Sequence, residues 1–421
     1  MRFLFVINTF YPESVAASAI VMNLADHLIN SGYQVDVLTL RKDESISEFE
    51  ISNGINIFRI VDYNLLSRRY VEDVLKGKFS FLFKFKIARN YLLGRLIRPI
   101  QMKITKDNIV TNRTRLYKKK LGELITNNNY KSIVTVSGDL SGAVAATQLK
   151  IEKMNFRFIF YQVDPYTNNY VYGNKNKIKR YQIEKEIFKY SDGVIMPSSN
   201  YLDVITNKFE EYNSKIKIVE FPKIQELNYK PTLDDILLDK NFINIIYTGM
   251  LYKDIRNPKY VLEILTKINM ENIKIYFVGC SIPEDSRELV KRMGDKIFII
   301  KRIPQQAVSN LLLNADILIN IGNSVINTFP SKLFEYFSSG KPIINFYKST
   351  SCPTLMYSKK YPEILNIYED YAKIDENTKK IEKFISDNHK KIQFNVVKEI
   401  FSECTVSEVG KQFEKVLKNE Q

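Results

Sequence analysis

The stretch richest in chemistry is NTFPSKLFEYFSSGKPIINF, from Asn327 to Phe346. Pro330 suits the first turn of a helix, where a missing N–H is no loss. Ser331, Lys332 and Leu333 follow, and no helical carbonyl is available to the backbone N–H groups of a helix start. Such an end carries the positive pole of the helix dipole and attracts phosphate. Lys332 adds a full charge that would neutralise it, and Glu335, a turn farther in, offers a carboxylate to a pair of sugar hydroxyls. Gly340 ends the helix and Lys341-Pro342 leads into the next strand. The same spacing fits an ordinary capped helix with Lys332 in solvent and Glu335 a surface acid, and the residues alone leave both readings open.

Elements must place these groups. RFLFVIN near the start is an apolar run suited to a buried parallel strand. After the loop TFYPESVAAS, Ile20, Val21, Leu24, Ala25, Leu28 and Ile29 recur at helical spacing, with Ser18 as N-cap and Gly32 at the C-cap. QVDVLTL then returns as a strand, which makes a strand–helix–strand unit. SIVTVSG (Ser132–Gly138), FRFIFYQVD (Phe156–Asp164) and DGVIMPS (Asp192–Ser198) continue the alternation. FINIIYTG (Phe242–Gly249), a helix from Pro258 to Asn269, IKIYFVG (Ile273–Gly279), KIFIIKRI (Lys296–Ile303), DILINIG (Asp316–Gly322) and PIINF (Pro342–Phe346) repeat it. This order predicts an α/β protein with two doubly wound, Rossmann-like domains. The expected division is 1–220, 221–400 and a C-terminal helix in 401–421, with the seam in EFPKIQELNYKPTLDD. In such sheets ligands bind beyond the carboxyl ends of strands, where the helix of the opening stretch begins.

Composition narrows the classes. A chain of 421 residues with 45% apolar content can build more than one sizeable core. Three dispersed cysteines (Cys280, Cys352, Cys404) and two histidines (His27, His389) fit a reduced cytosolic protein and no metal site. No run approaches the roughly 20 apolar residues of a membrane span, and the amino-terminal stretch reads as a strand rather than a signal peptide. The net charge is +15, and 16 Lys or Arg face three acids between Arg68 and Lys120. Within it, KFSFLFKFKIARNYLLGRLIRPI interleaves basic with aromatic and aliphatic residues. A solvated basic face and an interfacial helix on anionic lipid both account for this. Nucleic acid is the least favoured partner, because no nucleic-acid module surrounds the patch.

PSKLFEYFSSGKPII resembles the donor-binding signature of family 4 glycosyltransferases of the GT-B fold, closest to the branch acting in bacterial surface and capsular polysaccharide assembly. INTFYPESVAASAIVMNLADHLINSGYQVDVLTL is similar to that family's first strand, loop and helix, and YTGMLYKDIRNPKYVLEIL to its first donor-domain unit. The resemblance spans nearly the whole chain and implies two domains facing across a cleft. It implies that Glu335 binds ribose hydroxyls, that Ser331, Lys332 and Leu333 hold the diphosphate, and that Arg256, seven residues after Gly249, grips it too. Asn327 stands where the family has the first glutamate of E-x7-E, Met250 where an arginine is usual, and Ala16 and Ala17 near the place of a Gly-Gly pair. No histidine ends the strand Phe156–Asp164; Asp164 is the polar residue there. Ser137 and Gly138 join Ala16 and Ala17 as acceptor-side loop candidates, and Asp164, Arg256 and Lys332 as catalytic ones.

The implied activity is a retaining hexosyltransferase. It would take a nucleotide sugar (a UDP-sugar expected) as substrate, a polyprenyl-diphosphate-linked saccharide as acceptor, and no cofactor. Arg256, Lys332 and the helix dipole would stabilise the leaving diphosphate without a metal, in keeping with the lack of a suitable Asp-x-Asp motif. The implied location is the inner face of the plasma membrane, held peripherally. Two alternatives stay open: a sugar-nucleotide 2-epimerase of the same fold, and a non-catalytic polysaccharide-assembly protein, which Asn327 permits.

Overall fold

The apolar runs become the central strands of two parallel sheets. The computed structural model describes the chain apart from residues 13–14, 44, 63–84, 86–88, 90–91, 93–110, 170–175, 325–331, 353 and 421. The chain divides into two units, Met1–Pro222 with Val406–Gln421, and Lys223–Thr405.

In the first unit the described strands are β1 (Arg2–Val6), β2 (Gln34–Arg41), β3 (Phe49–Ser52), β4 (Ile55–Val61), β5 (Ser132–Val136), β6 (Phe158–Tyr161), β7 (Gly193–Met196) and β8 (Ile216–Ile218). They lie in the order β3-β4-β2-β1-β5-β6-β7-β8. All pairs are parallel except β3 with β4, which form a hairpin. β1, at the centre, is buried from Phe3 to Val6, as a parallel strand covered on both faces must be. Leu4, Val6, Leu38, Ile133, Phe158, Phe160 and Val194 join one core.

The helix Ala16–Asn30 follows β1. Ser18 is not its N-cap but lies in the first turn, where its hydroxyl accepts from Val15 N–H (2.7 Å) and donates to Val15 C=O (2.8 Å). The terminal helix Val406–Lys418 belongs to this unit, packing Phe413 against Phe5 and Tyr161 with ring centroids 6.2 and 5.1 Å apart.

The second unit holds β9 (Ile243–Thr248), β10 (Ile273–Val278), β11 (Ile297–Ile300), β12 (Ile317–Ile321), β13 (Ile343–Tyr347) and β14 (Ile364–Tyr368), in the order β11-β10-β9-β12-β13-β14 and all parallel. The order runs outward on both sides of β9, so the connections reverse between β9 and β12, and the carboxyl ends of these strands flank a switch point. Ile245, Ile275, Phe277, Ile319 and Phe346 fill the core.

Among the described residues, no helix is long and apolar enough to cross a membrane. Of the basic stretch, Lys76, Lys78, Phe79, Phe81, Leu82, Phe83, Lys84 and Lys86 lie outside the described residues.

Candidate functional site

The carboxyl ends of β9 and β12 carry the first cluster. Gly249 leaves β9 with φ +134°, a conformation that side chains rarely adopt, while its N–H stays bonded to Val278 C=O at 3.0 Å. The loop that follows closes on itself through Tyr252 and Arg256, whose backbone groups exchange hydrogen bonds of 3.1 and 3.2 Å. This turns the half-buried Arg256 back towards the strand ends. Its Nε donates to Asn323 Oδ1 at 3.0 Å, and Nη1 to Met250 C=O at 3.4 Å. Ser324 locks the two loops together, donating its N–H to Ile255 C=O and its hydroxyl to Asp254 C=O, both at 2.7 Å. Arg256 is therefore held by a side-chain oxygen of one loop and a backbone carbonyl of the other rather than left to swing.

The helix Lys332–Ser339 carries the second cluster. Leu333, Phe334, Tyr336 and Phe337 are buried, and Lys332 and Glu335 lie on the polar side. Thr248 N–H donates to Tyr336 Oη at 2.8 Å, which ties the helix to the end of β9; burial pushes that phenol up to about 12. Gly340 closes the helix at φ +72°, where a Cβ would run into the Ile392 carbonyl. Lys332 Nζ lies 2.8 Å from Glu335 Oε2, and Gln305 Nε2 donates to the same oxygen at 3.2 Å. Arg256, Gly249, Lys332, Leu333 and Glu335 thus belong to one edge of the second unit. Asn327 and Ser331 lie outside the described residues.

The remaining candidates belong to the first unit. Asp164 follows β6, and its N–H is bonded to Ser137 Oγ at 2.9 Å, joining the ends of β5 and β6. Its carboxylate reaches solvent, yet the protein packed around it pushes the group above the ordinary carboxylate range through desolvation. Gly138 has φ +144° and open space where a Cβ would stand. Ala16 and Ala17 open the first helix, Ala16 exposed and Ala17 half-buried. Next to Gly138, Asp139 accepts from Ser141 N–H at 2.9 Å at the start of the helix Ser141–Ile151, and Arg113 pairs with both Asp139 and Asp62. Asn323, Gln305, Tyr336 and Arg113 were not singled out in the sequence. Asn323 alone carried a signal, as a polar residue just beyond an apolar strand.

A cavity of about 310 Å³ opens elsewhere in the second unit, at the amino ends of β9 and β12, lined in part by Asn244, Asn310 and Asp316. None of the sequence-predicted residues lines it.

No family model matches the sequence, and no curated protein does. Solved structures do match over their whole length. The sucrose-phosphate synthase of Thermosynechococcus elongatus superposes with a TM-score of 0.65 at 13% identity, covering 99% of this chain and 98% of that one. An E. coli trehalose-6-phosphate protein bound with UDP-2-fluoro glucose gives 0.64 at 10% identity, covering 100% of both chains. A UDP-N-acetylglucosamine 2-epimerase candidate from Listeria monocytogenes gives 0.58 at 12% identity, with 99% and 96% covered. The fold is GT-B. At such identities the likeness extends to architecture and no further.

Proposed function

We propose that the protein is a glycosyltransferase that moves a sugar from a nucleotide-sugar donor, a UDP-sugar in the simplest case, to a saccharide acceptor carried on polyprenyl diphosphate. The observation carrying this reading is the grouping of Arg256, Lys332 and Glu335 at the carboxyl edge of the second sheet of a GT-B fold. Two cations and a carboxylate match a ligand made of diphosphate and ribose. In transfer, the bond from the anomeric carbon to the diphosphate oxygen breaks and its electron pair leaves with the diphosphate. The acceptor hydroxyl gives up its proton as its oxygen bonds to the same carbon. Charge grows on the diphosphate, where Arg256 and Lys332 act without needing a metal.

Lys332 and Glu335 neutralise each other in the ligand-free arrangement, so binding first exchanges that pair for phosphate on one side and ribose hydroxyls on the other. Asp164, accessible and desolvated, is the acceptor-side group suited to hold a proton. Retention of configuration, surface-polysaccharide synthesis and work at the inner membrane face belong to the same proposal and rest on the sequence resemblance. The epimerase reading is favoured by the match to the Listeria chain, a UDP-N-acetylglucosamine 2-epimerase candidate.

Incubation with UDP-glucose or UDP-N-acetylglucosamine, with and without lipid-linked acceptor, separates the two. Transfer that needs the acceptor, abolished or strongly reduced in Arg256→Ala and Glu335→Ala, is the expected outcome. Epimerised UDP-sugar in the absence of acceptor would replace this reading with the epimerase, and nucleotide binding without turnover would leave a non-catalytic protein.

A further inference from the structure

Lys223 is the first residue of the second unit, is 7% exposed, and its ammonium makes no hydrogen bond or ion pair with the described residues. A buried ammonium without a bonded anion is one of the least favourable placements a side chain can have. Backbone contacts hold it there. Lys223 N–H and Ile224 N–H both donate to Cys404 C=O, at 3.0 and 2.9 Å, and Ile224 bridges Thr405. Gln225 N–H reaches Ser338 Oγ at 3.4 Å, on the helix that carries Lys332 and Glu335. The segment Lys223–Gln225 is therefore fixed between Cys404–Thr405 and that helix.

Glu335 and Lys332 are the charged groups near enough to act electrostatically on the Lys223 ammonium. Glu335 already accepts from Lys332 and from Gln305 through one oxygen. One carboxylate therefore stands against two ammonium groups, and the cluster carries a surplus positive charge. Burial pushes the Lys223 ammonium below the ordinary lysine range, Glu335 pulling it back and Lys332 adding to the fall.

We propose that Lys223 is an anion-binding residue of this site, forming with Lys332 a two-ammonium receptor for the diphosphate of the donor. The assignment rests on reading this edge as a donor site. An incoming diphosphate supplies the missing counter-charge and releases Glu335 for hydroxyl groups. It also accounts for an otherwise costly lysine: the unfavourable charge is kept because the ligand relieves it.

The test is calorimetric titration of the full-length protein with inorganic pyrophosphate, UDP and uridine, comparing wild type with Lys223→Met, Lys223→Gln and Lys223→Arg. The expected result is at least tenfold weaker binding of pyrophosphate and UDP in the Met and Gln variants, uridine binding unchanged, and most of the affinity kept by Arg. The ligand-free melting temperature of Lys223→Met should rise, because a buried charge has gone. Anion affinities within twofold of wild type in both neutral variants would overturn the assignment, as would a wild type that binds no pyrophosphate. A wild type that binds pyrophosphate but not UDP, with the loss seen in the variants, would keep the anion site and discard the donor reading.

Discussion

At the scale of single residues, Glu369 shows how this strand edge stores charge away from water. It follows β14, its N–H bonded to Tyr347 C=O at 2.9 Å. Its side chain is 9% exposed, and Lys348 lies 3.4 Å from Oε2. The other oxygen is buried without a partner. Lys348 also donates to Asn257 C=O at 3.3 Å, the residue after Arg256, so it is shared. Burial pushes the Glu369 carboxyl up to about 7, and Lys348 offsets only part of that. A folded-state value above the unfolded one means that the folded chain holds the proton more tightly. Stability from Glu369 is therefore fully present below about pH 4.5 and is lost as pH rises through about 7. Glu369→Gln, a neutral isostere, should flatten that fall and leave the variant more stable at pH 8 by up to about 3 kcal/mol. Urea denaturation between pH 4.5 and 8 checks it; parallel curves for the two proteins would refute it.

At the scale of elements, burial on both faces decided what the sequence could reveal. β1, β5, β7, β9, β10, β12 and β13 are largely apolar runs and β2 is mixed but buried along most of its length, and each is visible as a strand from residue types alone. β4 alternates buried and half-buried residues, while β3, β8 and β14 are largely uncovered edge or near-edge strands, and none of the four was foreseen. The β3–β4 hairpin did carry a local sign in Asn53-Gly54, both at positive φ, the pair that a tight hairpin turn favours. The site divides similarly. Lys332 and Glu335 share one helix and were legible as a local pattern, whereas the Arg256–Asn323 bond joins loops 67 positions apart. Burial of Lys223 depends on backbone contacts with Cys404 that no local pattern encodes.

The terminal helix was legible as a helix but not as part of the first core. There Tyr33 Oη donates to Glu414 at 2.6 Å, Ser132 Oγ to Leu417 C=O at 2.6 Å, and Gly410 lies against the His27 ring. Gly410→Ala would gain about 1 kcal/mol on helix propensity. A Cβ there runs into the imidazole, and overpacking of this kind costs about 1–3 kcal/mol. The expected net effect is a loss of stability, read from the denaturation midpoint, with the exposed Lys411→Ala near neutral. A gain in Gly410→Ala would show that the helix is not seated against His27.

For the whole molecule, an architecture shared at 10–13% identity shows how little of it depends on particular side chains. The chain is strongly basic, with 62 Lys or Arg against 47 acids and a marked excess between Arg68 and Lys120. An acceptor on polyprenyl diphosphate would require work at a lipid surface, and this excess offers a means of reaching it without a spanning helix. Phe79, Phe81, Leu82, Phe83 and Phe85 alternate with or adjoin Lys76, Lys78, Lys84, Lys86 and Arg89 in the sequence. Each basic residue near an anionic surface contributes about 1 kcal/mol, so five together would give firm but reversible attachment. A nucleic-acid partner would draw on the same charge but has no use for the interleaved phenylalanines. Screening sets the test, since the attraction fades over about 10 Å at 0.1 M salt. Sedimentation with phosphatidylserine-containing vesicles should carry the protein down, neutral phosphatidylcholine vesicles should not, and both added salt and Lys84→Glu with Lys86→Glu should release it. Equal binding to both vesicle types, or to neither, would reduce the stretch to a solvated basic face and leave the acceptor to be sought among soluble saccharides.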